Sequence, residues 1–327
     1  ADEPEPTIGC LITSSGMGAI STLFLSMLRP GDAVLAGNVY GSTDSLLRSL
    51  GKFGVDALFR NMGDLDEVEA ALDEHPNIVL VFLETPENPT LRVADIEAIS
   101  RLAEARGALL AVDNTFCSPY LQQPFRLGAD FVLHSLTKFV NGHSSSVGGA
   151  ILGPFRYMKQ DFFHWYKDLG PTPSPFDSWL DSVSLQTLAV RQKEECASAA
   201  VIAEFLRSHP RVEHVMYPGF ADFPQAALVR KQMRTGGALV SFEIRGGLAA
   251  GERVMNYFAR KDTPMELAVS LGAAISYIEH PASMTHSMVP EEDRRARGIT
   301  PGLARLSVGL EGPEVLIEHL DRALELA

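Results

Sequence analysis

The sequence predicts an α/β protein, with a large domain over residues 1–189 on a mostly parallel sheet and a smaller α+β domain over residues 190–327. Three observations carry that expectation. Short, nearly all-apolar runs of four to seven residues recur through the first half, as strands buried on both faces of a parallel sheet require. Amphipathic stretches with helix start and stop signals lie between them. Past the turn-rich Gly170-Pro171-Thr172-Pro173-Ser174-Pro175, the alternation gives way to a long helical stretch with fewer strands.

The apolar runs fall at residues 9–13, 33–36, 78–84, 108–113, 131–134 and 148–152. Asp64-Leu65-Asp66-Glu67 is a capping-box variant that starts a helix with Leu65, Val68 and Leu72 on one face. Val93, Ile96, Ile99 and Leu102 form a second stripe, stopped by Gly107. In the second domain a helix runs to about residue 208, and strands are expected at 238–244 and 304–308. A closing helix starts with Pro313 at its first position and turns Leu316, Leu320 and Leu324 inward.

Composition narrows the function. The 327 residues are 46% apolar and 21% charged, which excludes disordered and collagen-like chains. The longest strongly apolar run, residues 78–83, is far too short to span a membrane. A net charge of −13 argues against nucleic acid or an anionic membrane as partner. The three cysteines are far apart and lack C-x-x-C spacing, so reduced thiols in a cytoplasmic protein are expected, with no zinc site. The nine histidines include no H-x-x-x-H pair, and no metal is expected. The chain opens without Met and reaches a buried-looking run at Cys10, so residues are expected upstream.

Several motifs fall short. Gly16-Met17-Gly18-Ala19-Ile20-Ser21 misses the dinucleotide fingerprint, and Gly142-His143-Ser144-Ser145-Ser146 lacks the last glycine of a nucleophile elbow. Three signals remain. At Ser14-Ser15-Gly16-Met17 a strand passes into a helix, whose first N–H groups can bind phosphate; an ordinary turn has the same look. Asp113 ends an apolar strand, where a carboxylate points into the ligand crevice or caps a helix. In His134-Ser135-Leu136-Thr137-Lys138 a lysine follows two hydroxyls at a strand end, where desolvation would make it a nucleophile. Together, with Lys138 25 residues after Asp113, they match what pyridoxal 5'-phosphate (PLP) requires. A carboxylate keeps the pyridine nitrogen protonated, a lysine condenses with the aldehyde, and hydroxyls and a helix N-terminus hold the phosphate.

At these residues the chain resembles the Cys/Met-metabolism PLP enzymes of fold type I, the aspartate-aminotransferase-like fold. The resemblance rests on Ser15-Gly16-Met17, Tyr40-Gly41-Ser42-Thr43, Glu84-Thr85-Pro86-Glu87-Asn88-Pro89 and Val112-Asp113-Asn114-Thr115. It continues through His134-Ser135-Leu136-Thr137-Lys138, Val269-Ser270-Leu271-Gly272 and Arg305-Leu306-Ser307-Val308-Gly309. The methionine γ-lyase branch is the most similar, through Tyr217-Pro218-Gly219 and His280-Pro281-Ala282-Ser283-Met284-Thr285-His286.

The resemblance implies a role at each position. Lys138 carries the cofactor and moves the Cα proton, and Asp113 pairs with the pyridine nitrogen. The Gly16 and Met17 amides, Ser135 and Thr137 hold the phosphate. Tyr40 stacks on the ring and acts as an acid toward the leaving group, with Asn88 near the ring oxygen. Arg305, with Ser270, takes the substrate carboxylate. The resemblance further implies a homotetramer built from catalytic dimers, acting on a small amino acid. The reaction would be γ-elimination to a 2-oxo acid and ammonia. Alternatives are γ-replacement on an O-acyl-homoserine, or a non-catalytic PLP-binding homologue.

Three departures from the family pattern stand out. Ser42 replaces the cysteine of methionine γ-lyases. If residues 40–42 are extended, Tyr40 and Ser42 share a face, and a hydroxyl there favours a γ-substituent more polar than methylthio. The family's Leu-Arg-Gly-x-Lys-Thr-Leu reads Ser182-Val183-Ser184-Leu185-Gln186-Thr187-Leu188, without the two cations. The family's N-terminal arm, whose Tyr-x-Arg element reaches a neighbouring subunit's phosphate, is not in this sequence.

Overall fold

The computed structural model describes residues 7–284, 292 and 298–327; Thr285 and His286 of the quoted motif lie outside the described residues. The chain forms two compact units. The first runs to Asn88 and adds Val93–Val140 and Ser145–Val183; the second takes Pro89–Arg92, Asn141–Ser144 and Ser184–Ala327.

The first unit is an α/β layer structure. Its sheet contains β1 (Ile8–Thr13), β2 (Ala33–Ala36), β3 (Asp56–Phe59), β4 (Ile78–Glu84), β5 (Leu109–Asp113), β6 (Phe131–Ser135) and β7 (Gly149–Pro154), in the order β1-β7-β6-β5-β4-β2-β3. Strands β2 to β6 pair in parallel, and β7 runs antiparallel to both β6 and β1. The apolar runs are explained by burial on both faces. Leu80 and Phe82 pack with α1 (Gly16–Met27) and α2 (Gly41–Leu50), whereas Val81 and Leu83 pack with α3 (Leu65–Glu74) and α4 (Ile96–Glu104). Asp64 caps α3 as expected, its Oδ1 accepting from the amides of Asp66 and Glu67.

In this sheet two strands depart from expectation, both at its edges. β3 has no long apolar run to announce it, because it has only one neighbour strand and Asp56-Ala57-Leu58-Phe59 is at most partly buried. β1 is only half covered, and its Ile8 is 44% exposed.

The second unit carries β8 (Val212–Met216), β9 (Leu239–Ile244), β10 (Glu266–Leu267), β11 (Tyr277–Glu279) and β12 (Leu303–Ser307), in the order β10-β11-β12-β9-β8. All its pairs are antiparallel except β10 with β11. Helices Leu188–Ser208, Gly247–Phe258 and Pro313–Leu324 bury one continuous core against the sheet. Leu316, Leu320 and Leu324 are fully buried, each worth about 1.5–3 kcal/mol of apolar transfer. The early segments belong to this unit through specific bonds. Ser241 Oγ donates to the Pro89 carbonyl at 2.6 Å, and the Ala274 amide donates to the Gly142 carbonyl at 2.8 Å. The hydroxyls of Ser144 and Tyr277 lie 2.7 Å apart. No described helix is long and apolar enough to cross a membrane.

Candidate active site

In the first unit the expected residues gather at the carboxyl ends of the parallel strands, where open α/β sheets place ligands. The α1 N-terminus forms one wall. Ser15 caps it, its Oγ accepting from the Gly18 amide at 3.0 Å, and Thr13 Oγ1 donates to the Ser15 carbonyl at 2.8 Å. A Cβ on Gly16 would lie 2.9 Å from Ser135 Cβ and 3.2 Å from its Cα, so only glycine lets the helix start this close to Ser135. The start of α1 thus lies directly against Ser135, and the N–H groups of a first helical turn suit a phosphate. The Thr137 hydroxyl turns to Gly148 instead, accepting from its amide at 3.1 Å.

Asp113 closes β5 in register with Glu84 and Leu133 on the neighbouring strands. It is buried, and desolvation pushes its carboxyl above the usual range while the bonds from Thr115 pull the other way. Both bonds go to Oδ1, from Thr115 Oγ1 at 2.6 Å and the Thr115 amide at 3.0 Å. Thr115 Oγ1 in turn accepts from the Ser135 amide at 2.8 Å. This hydrogen-bonded chain ties the carboxylate to the phosphate wall. A desolvated carboxylate so held is the right partner for a protonated ring nitrogen, and with the α1 N-terminus set against Ser135 the residues present fit PLP.

Lys138 follows directly, half-buried in the wide helical turn Leu136–Val140, which it breaks with φ −89° and ψ −133°. Tyr40 is 51% exposed at the start of α2, and its amide donates to Glu84 Oε2 at 2.8 Å. Asn38 Nδ2 donates to the Asn88 carbonyl at 3.4 Å, holding the main chain of Asn88 rather than its side chain. Thr115 and Glu84 are thus supports that motif reading had left without a role; the signal was their position beside Asp113 and at the end of β4.

One premise fails. Residues 40–42 are not extended: α2 begins at Gly41, and Ser42 is an exposed residue of its first turn. Strand alternation therefore gives no shared face to Tyr40 and Ser42. In the second unit, Arg305 lies mid-strand in β12, 2% exposed, with Nη1 3.0 Å from Glu279 Oε1 and Nη2 donating to the Ser270 carbonyl at 3.0 Å. Ser270 meets it through the main chain.

A doubly covered parallel sheet with an α1 phosphate wall, a buried strand-end carboxylate and a lysine behind Ser-x-Thr defines a fold type I PLP enzyme. The whole chain bears this out: residues 4–325 match the model of the Cys/Met metabolism PLP-dependent enzymes, and the protein belongs to that family. It is 43% identical over 323 residues to the L-methionine gamma-lyase of Treponema denticola, covering 97% of this chain and 79% of that one. It is 40% identical over 314 residues to the O-succinylhomoserine sulfhydrylase of Pseudomonas aeruginosa, covering 95% and 76%. The crystal structure of a cystathione gamma lyase from Micromonospora echinospora superposes with a TM-score of 0.92 at 41% identity, covering 97% of this chain and 82% of that one.

Proposed function

We propose that the protein is a PLP-dependent lyase that eliminates the γ-substituent of a sulfur or homoserine-type amino acid, yielding a 2-oxo acid and ammonia. Similarity to an L-methionine gamma-lyase along 97% of this chain, at 43% identity, carries this reading. When bound, PLP supplies the electron sink that stabilises charge left on the substrate carbon. Asp113 would pair with the pyridine nitrogen, its carboxylate held by Thr115, whose hydrogen bonds oppose the upward push of desolvation. Gly16, Met17 and Ser135 would hold the phosphate, and Asn88 would serve the ring oxygen. Lys138 Nζ takes the proton from Cα, and the exposed Tyr40 hydroxyl donates one to the departing γ-atom. Arg305 grips the substrate carboxylate, oriented by Glu279 and the Ser270 carbonyl. Thr137 acts on the phosphate through the loop it anchors at Gly148.

The second reading, γ-replacement on an O-acyl-homoserine, is supported by the similarity to a sulfhydrylase. A product assay separates the two. The protein is incubated with methionine, cystathionine and O-acetylhomoserine, with and without thiol. A 2-oxo acid independent of thiol supports elimination, and a thioether formed only with thiol overturns it.

We further propose a homotetramer of catalytic dimers in the cytoplasm, acting on a small amino acid. Large apolar side chains of the first unit stay exposed within a short stretch: Phe163, Leu169, Phe176, Trp179 and Val183 are each 48–63% accessible. Such a concentration marks a surface that a second copy covers. Light scattering on the active protein tests it, and a monomer refutes it.

A further inference from the structure

The turn that carries Lys138 is backed by a buried acid that no motif singles out. Asp181 lies on helix Pro175–Leu185 and is 7% exposed; its Oδ1 accepts from the Ser146 hydroxyl at 2.5 Å. Gly148 rests on the same carboxylate, since a Cβ there would sit 2.7 Å from Asp181 Oδ2. Gly148 is also bonded to both residues that precede Lys138. Its carbonyl accepts from the Leu136 amide at 2.9 Å and from Thr137 Oγ1 at 3.3 Å, and its amide donates to Thr137 Oγ1 at 3.1 Å.

Burying a carboxylate is costly unless polar partners surround it. Here the loop supplies the Ser146 hydroxyl, and Gly148 packs against the other carboxylate oxygen, so the acid holds the loop at two points. Asp181 also stands immediately before Ser182, where the chain departs from the family pattern. A loop held at Ser146 and Gly148 leaves Leu136 and Thr137 little freedom, and Lys138 is the next residue.

We propose that Asp181 is a positioning residue that, through Ser146 and Gly148, sets where Lys138 Nζ stands. The proposal rests on Lys138 being the lysine that carries PLP.

The test uses the full chain as Asp181→Asn, Asp181→Leu, Ser146→Ala and the double variant Ser146→Ala/Asp181→Leu, with Lys138→Ala as control. Four quantities are read: the PLP dissociation constant of the cofactor-free protein, the pH midpoint of the visible band of bound cofactor, kcat and KM separately, and thermal unfolding without PLP. Asp181→Leu and Ser146→Ala are expected to weaken PLP binding by about tenfold or more, as loss of a hydrogen bond to a charged group does. They are also expected to move the pH midpoint and to lower kcat more than they raise KM. Asp181→Asn, which keeps an acceptor, restores most of the loss. The double variant loses no more than the worse single one, because both act along one chain of contacts. The proposal is overturned if the variants lower only the unfolding temperature, with PLP affinity and pH midpoint unchanged. It is equally overturned if nothing changes. If Lys138→Ala still fixes PLP under borohydride, the assignment of Lys138 is what has failed.

Discussion

Gly149→Ala is expected to damage the protein at two linked places. Gly149 sits on β7 between Thr13 of β1 and Ser135 of β6. A methyl group there would lie 2.1 Å from the Ser15 carbonyl oxygen, 2.5 Å from its carbon and 2.5 Å from Thr13 Oγ1. Ordinary contact begins near 3.4 Å, so the Ser15 carbonyl has to withdraw by roughly 1.3 Å. That carbonyl accepts the Thr13 hydroxyl, and Ser15 caps α1, so the strain reaches both bonds. Overpacking costs about 1–3 kcal/mol, a lost cap about 1 and a lost hydrogen bond about 1. The sum, about 3–5 kcal/mol, is a large share of a typical net stability of about 5–15 kcal/mol. Urea unfolding of the cofactor-free protein measures it, and a PLP titration reports on the phosphate wall. Gly51→Ala is the control: its φ of −54° suits any residue and nothing lies within 4 Å of the new methyl, so it should be neutral or stabilising by up to ~1 kcal/mol. If Gly149→Ala unfolds within about 0.5 kcal/mol of the parent and binds PLP equally well, the reasoning is wrong.

Three further outcomes are expected. Lys138→Ala abolishes turnover and covalent attachment of PLP, checked by product assay and by mass after borohydride; near-parental turnover would undo the assignment. Burial pushes His134 down to about 4 from an ordinary 6.5. The unfolded chain therefore binds more protons between those values, and this group makes stability rise with pH across that window. The stability difference between the parent and His134→Gln should change by about 3 kcal/mol between pH 7 and pH 4, and parallel pH profiles would contradict it. Glu279→Ala leaves the Arg305 guanidinium buried without its carboxylate; unfolding should be easier by about 3–5 kcal/mol, with a raised KM, and an unchanged urea midpoint would refute it.

Apart from β1, the strands of the first sheet legible in the sequence are those buried on both faces. β2 and β4 fall at the expected residues because burial leaves no room for a polar side chain along them. β3 was illegible for the converse reason, as an edge strand can keep Asp56. Helix boundaries were readable where a side chain closes them, as Asp64 and Pro313 do. The start of α2 was not, because Tyr40 caps it with no side-chain bond. At the candidate site, Asp113 and Lys138 stood out only in combination, through their spacing and the glycine turn at Gly16. Thr115 and Asp181 did not stand out: a hydroxyl beside an acid resembles a turn, and an acid on a helix resembles a solvated face. Only the fold brings Ser135 to one and Ser146 to the other.

The bonds of Pro89, Gly142 and Ser144 have a consequence for how this chain is made. The ribosome delivers these residues long before β9 and β11, to which Ser241 and Tyr277 belong. The C-terminal half therefore cannot finish alone. A fragment begun at Ser184 lacks two loops' worth of partners and leaves polar atoms such as the Ser241 hydroxyl with nothing to bond. Cutting the gene at that boundary and co-expressing the halves should give a soluble second half only when the first is present. The second unit is therefore not a module that evolution could lift out as one continuous stretch of gene.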